Sequence, residues 1–195
     1  MIKVAVMGGI GSGKSFIAKL FKYPVFNADE EVKLIYKKDR KCFISLKKKL
    51  PKLIKSFPVK KSDLIKAINS DKRNLAKISS VVHPLVRKKM EIFLKKNKTR
   101  KMIILDIPLL IENKLNNKGD VLIFINTRKS KVVSRLKKRK NYNVNILKKL
   151  KKNQYTLLKK RKLANYIIDN NYPPNIMKLK IQKLKHKIFN ERNNS

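Results

Sequence analysis

Tryptophan is absent from this sequence, cysteine occurs once, and acidic residues number 12 against 52 lysines and arginines. The lone Cys42 excludes an intrachain disulfide, and no Cys/His cluster has zinc-ligand spacing, which suits a reducing compartment. No stretch approaches the ~20 apolar residues of a membrane span, and Met1-Ile2-Lys3 does not open a signal peptide's long apolar region. The expectation is therefore a cytoplasmic protein with no membrane partner. With no Trp, and with Tyr and Phe largely inside apolar runs, the chain also lacks an organised platform for stacking nucleic-acid bases.

The shortage of acids leaves a formal charge of +40, a strongly attractive field for phosphates. Only nine of the basic residues are Arg, and Asn and Ile are abundant as well, the composition of an A/T-biased coding sequence. Runs such as Lys47-Lys48-Lys49, Lys95-Lys96 and Lys148-Lys149 interrupt apolar residues at helical spacing. They read as solvated helix faces rather than a specific nucleic-acid surface, because they are scattered instead of forming one stripe. Such a field still helps to collect a polyanionic small substrate.

A chain of 195 residues, 42% hydrophobic, can bury one substantial core and favours a single domain. Ile2 to Met7 is a short apolar run rich in β-branched residues, the signature of a strand buried on both faces. Helical periodicity follows from Lys14 to Phe21, then a second short strand at Pro24 to Asn27. From about residue 30 to residue 100 the pattern is almost wholly helical. Pro51 and Pro58 interrupt it, Ser62 or Asp63 and Ser70 or Asp71 are candidate caps, and Pro84 is expected at a helix start. Met102 to Leu105, ending in Asp106, with Val121 to Ile125 and Tyr166 to Asp169, complete five apolar strands separated by helices. An α/β fold with a five-stranded parallel sheet flanked by helices follows.

Glycine is scarce too, but Gly8-Gly9-Ile10-Gly11-Ser12-Gly13-Lys14-Ser15 satisfies the Walker A pattern between a strand and a helix. Glycines let backbone wrap phosphate oxygens, and amides at the helix N-terminus supply the donors. Gly9, Gly11, Ser12, Gly13, Lys14, Ser15 and Phe16 are the candidate nucleotide contacts. Lys14 is expected on the β- and γ-phosphates of ATP and Ser15 on Mg2+. Asp106, closing an apolar strand, is a candidate Walker B acid holding the same metal.

Together with Asn27-Ala28-Asp29, His83-Pro84-Leu85-Val86-Arg87, Ile107-Pro108-Leu109-Leu110-Ile111-Glu112 and Ala164 to Asn170, the Walker segment resembles the ordered signatures of dephospho-CoA kinases. The resemblance covers nearly the whole chain. It implies a P-loop kinase transferring the ATP γ-phosphoryl to the ribose 3′-hydroxyl of dephospho-CoA, the last step of coenzyme A biosynthesis. It also implies a core (about 1–29, 101–134 and 164–195), a helical CoA-binding region (about 30–100) and a lid (about 135–163).

Asp29 falls at the family's catalytic base, just past the second strand, although a helix N-cap is the plainer reading. His83, Arg87 and Asp106 are candidate substrate contacts. Arg139 falls at the family's lid arginine, suited to charge on the transferring phosphoryl group. Glu112 supports either a helix or the substrate pocket. Three positions depart from the family pattern: Asn27 where aspartate is usual, Phe16 for threonine, and Leu150 for arginine.

Overall fold

The computed structural model describes residues 1–138, Leu147 and 154–193. Its centre follows from the apolar runs. The strands β1 (Ile2–Met7), β3 (Met102–Asp106) and β4 (Val121–Asn126) are almost wholly buried, as strands covered on both faces must be. With β2 (Val25–Asn27) and β5 (Tyr166–Asp169) at the edges they form one parallel sheet in the order β2-β3-β1-β4-β5. The chain therefore turns to one side of β1 for β2 and β3 and to the other for β4 and β5. That reversal leaves the crevice at the carboxyl ends of the strands where α/β sheets take their ligands.

The chain divides into two compact units, one of Met1–Asn27 with Thr99–Ser195 and the other of Ala28–Lys98. In the first, α1 (Lys14–Leu20) contributes Ile17 and Ala18 to the sheet's core, its C-cap Phe21 joins them, and the C-terminal α8 (Pro174–Asn193) contributes Met177, Ile181 and Ile188. Each such buried Ile, Phe or Met side chain is worth roughly 1.5–3 kcal/mol of transfer free energy. The short helices α6 (Lys129–Lys137) and α7 (Leu157–Lys162) follow β4 and precede β5.

The second unit is α2 (Ala28–Lys38), α3 (Arg40–Lys49), α4 (Lys61–Ser70) and α5 (Lys72–Lys96) around Ile35, Cys42, Leu46, Ile54, Leu64, Ala67, Ile78 and Val82. Asp39 caps α3 by accepting from the Cys42 amide at 2.9 Å, and Asp71 caps α5 by accepting from the Arg73 amide at 2.8 Å. Ser62 and Asp63 do not cap α4; they lie in its first turn, where Asp63 meets the positive end of the helix dipole.

Pro84 corrects the sequence reading, for it does not start a helix but sits inside the 25-residue α5. A proline there forfeits one backbone hydrogen bond, yet Ile78, Val81 and Val82 just before it and Leu85 and Val86 just after it all pack on the same core. Continuous burial of that stripe outweighs the missing bond.

Candidate active site

Strand β1 delivers the Walker segment to the carboxyl edge of the sheet, and the backbone there takes conformations that side chains resist. Gly13 has φ 89° and serves as N-cap of α1 with no side-chain cap, so the first amides of the helix are left to meet an anion. A Cβ on Gly13 would collide with the Asn170 amide, and one on Gly11, at φ 83°, would stand 3.0 Å from Leu136. The loop is thus glycine-rich for packing behind it as well as for phosphate in front.

That backing converges on one atom. The Ser12 carbonyl accepts from Thr127 Oγ1 at 2.9 Å, Arg135 Nη1 at 3.1 Å and Asn170 Nδ2 at 2.8 Å. Asn170 is held in turn by its own amide on the Asn126 carbonyl, 2.8 Å away. Three groups from the ends of β4 and β5 and from α6 therefore brace the loop, and sequence reasoning did not assign them this role. Asn170 closes the last signature segment, but no spacing connects Thr127 or Arg135 to Ser12 before the sheet is assembled.

In front of the loop, Lys14 Nζ donates to the Gly9 carbonyl at 3.0 Å and the Gly8 carbonyl at 3.4 Å, keeping the ammonium in the mouth of the cradle. Ser15 stands one residue further along α1. Parallel pairing of β2 with β3 sets Asn27 opposite Asp106, and the Asn27 amide donates to Asp106 Oδ2 at 2.6 Å and to Ser15 Oγ at 3.4 Å. Asp106 is only 3% exposed. Ser15 and Asp106, 91 residues apart in the chain, are thereby gathered about a single amide.

A serine hydroxyl and a buried carboxylate are hard oxygen donors of the kind magnesium takes, with waters and phosphate oxygens completing its shell. The residues present fit that ion. Among the described residues no group of three or more His, Cys, Asp or Glu side chains could hold a metal without such help.

Asp29, His83 and Arg87 belong to the second unit. Asp29 is exposed in the first turn of α2, with Glu30 and Glu31 beside it. It lies one residue inside the helix, so it is not the N-cap that its neighbours suggested. His83 and Arg87 lie one turn apart on α5, both with solvent access. Loss of hydration against the helix, followed by the Arg87 guanidinium, holds the imidazole below its ordinary pKa. Arg139 and Leu150 lie outside the described residues, whereas Phe16, 38% exposed, occupies the first turn of α1. No helix among the described residues is long and apolar enough to cross a membrane.

Comparison with known proteins places the chain in a family. The family model described as CoaE, dephospho-CoA kinase, matches residues 2–174. The curated dephospho-CoA kinase of Wolbachia sp. subsp. Brugia malayi (strain TRS) is 34% identical over 140 residues, 69% of this chain and 72% of the relative. Among solved structures, TT1252 from Thermus thermophilus superposes with a TM-score of 0.77 at 23% identity, covering 97% of each chain. The dephospho-CoA kinase from Campylobacter jejuni superposes with a TM-score of 0.66 at 21% identity, covering 99% of this chain and 98% of its own. At those identities the two structures speak for the fold.

Proposed function

Since this chain belongs to the dephospho-CoA kinase family, we propose that it moves the γ-phosphoryl group of ATP to the ribose 3′-hydroxyl of dephospho-CoA, completing coenzyme A. The observation that carries the reading is the braced P-loop with Ser15 and Asp106 gathered about the Asn27 amide.

Each part of that arrangement has a task. Amides of the Gly9–Phe16 turn cradle the β- and γ-phosphates, and Lys14 exchanges its carbonyl partners for phosphate oxygens when nucleotide arrives. Ser15 and Asp106 would hold Mg2+, which when bound neutralises charge on the phosphates. Asp29 accepts the proton of the attacking hydroxyl, with His83 and Arg87 as contacts for the acceptor. Asp106 acts chiefly through the metal. The helical unit of residues 28–98 takes the acceptor, and the basic segment that includes Arg139 supplies the lid over the nucleotide. A cytoplasmic setting follows from these two substrates.

The direct test incubates the protein with ATP, magnesium and dephospho-CoA and looks for coenzyme A by mass, with adenosine and pantetheine phosphates as competing acceptors. Coenzyme A alone is the expected product; phosphorylation of another acceptor in its place overturns the proposal. Asp29→Asn then isolates the base. Single-turnover transfer should fall by about 10²-fold or more while ATP affinity and melting temperature stay near wild type. Wild-type transfer by a folded variant removes Asp29 from the chemistry.

A further inference from the structure

Two opposite charges are buried together away from the phosphate cradle. Lys160 Nζ lies 2.8 Å from Glu112 Oε1, with the two side chains only 2% and 7% exposed. The same Oε1 accepts from the Tyr155 backbone amide at 2.9 Å, whereas Oε2 is buried without a partner among the described residues. A lysine on a chain this rich in lysine has solvent available almost everywhere, so its burial here needs a cause. Breaking such a pair on one side strands a charge, which makes the pair a stringent local constraint.

The constraint falls on a short span of chain. Glu112 follows the strand that ends at Asp106, and Tyr155 and Lys160 bracket the start and middle of α7, which Thr156 caps by accepting from the Lys159 amide. Leu157, one turn before Lys160 on the same helix face, lies over the P-loop: a Cβ on Gly9 would stand 3.3 Å from Leu157 Cδ2. The Gly9 carbonyl is the nearer seat of the Lys14 ammonium. Glu112 is thus tied to Lys160, Lys160 to Leu157 by the shared helix α7, and Leu157 faces Gly9, whose carbonyl holds Lys14.

We infer that Glu112 and Lys160 are a positioning pair for nucleotide binding: they fasten α7, so that Leu157 confines the Gly9 side of the phosphate loop. Neither residue touches the nucleotide. Their effect is transmitted through Leu157, and the buried charges make α7 occupy one position instead of sliding along its exposed leucines. The inference rests on the nucleotide role of the P-loop proposed above. Calorimetric titration of the wild-type protein with ATP and magnesium tests that role separately, since it needs no acceptor.

The variants are Glu112→Gln, Lys160→Met, the double change and Leu157→Ala, each titrated with ATP and assayed well below its own melting temperature. Either single change at the pair should raise the Kd and KM for ATP about tenfold with kcat for dephospho-CoA changed much less. The double variant should be no worse than the poorer single, because one interaction is being removed. Leu157, 55% exposed, can be cut to Ala without unfolding the chain, and Leu157→Ala should weaken ATP binding several-fold at an unchanged melting temperature. Lower melting temperatures with unaltered ATP affinity would reduce the pair to a structural ion pair. Additive losses in the double variant, or wild-type ATP affinity in Leu157→Ala, would equally overturn the proposal.

Discussion

Asn27 shows how much one amide can decide. A carboxylate at this position would face Asp106 across the register of two parallel strands, where the amide instead donates to Asp106 Oδ2 at 2.6 Å. Asn27→Asp should therefore lower the melting temperature of the metal-free protein, by about 2–4 °C for each kcal/mol of repulsion, and enlarge the gain on adding magnesium. Calorimetric scans with and without the ion read both, and an unchanged metal-free melting point would remove the charge argument. His83 makes a second prediction. Its folded pKa lies below the unfolded value, so the unfolded chain takes up the proton first as pH falls. Stability contributed by the neutral ring is complete above about pH 6.5 and declines as pH drops from there through the lowered folded value. In urea titrations His83→Gln should flatten that decline; an identical slope in wild type and variant would assign it to other groups.

At the scale of elements, a helix end was legible at Asp71, where a side chain does the capping, and misleading where tertiary burial does the work; the Asp39 cap emerged only from the structure. The proline of α5 is the instructive case. It lacks the N–H that would meet the Ser80 carbonyl, while the helix continues because its apolar stripe is buried on both sides of the gap. Pro84→Ala restores that donor and should stabilise the protein toward urea by about 1–3 kcal/mol, less whatever proline contributes by stiffening the unfolded chain. A loss of stability instead would mean that the packing of Ile78, Val82 and Val86 depends on the proline ring itself.

For the whole molecule the governing quantity is the charge of +40, carried by 52 basic against 12 acidic residues. Twelve acids cannot match 52 bases, so most of this charge repels itself across solvent. Raising salt from about 0.01 to 0.15 M shortens the Debye length from about 30 to 8 Å. The melting temperature should rise over that range, while the apparent affinity for a polyanionic acceptor falls and kcat changes little. A melting temperature that drops with added salt would show that attractive pairs, not repulsion, dominate the fold's electrostatics.

The amino-acid sequence by itself determined the strands, the Walker loop and the class of fold, because each of these rests on neighbours in the chain: β-branched runs, glycines at required dihedrals, a serine beside its lysine. It also carried the family resemblance, which lies in ordered short segments. Only the tertiary structure decided which distant groups meet. Parallel register put Asn27 beside Asp106, the ends of β4 and β5 brought Thr127 and Asn170 to the Ser12 carbonyl, and the fold buried Lys160 against Glu112. Nothing in the spacing of a lysine-rich chain marks one lysine as buried, because burial depends on which surfaces the sheet and helices close over, and that is settled by packing across the chain.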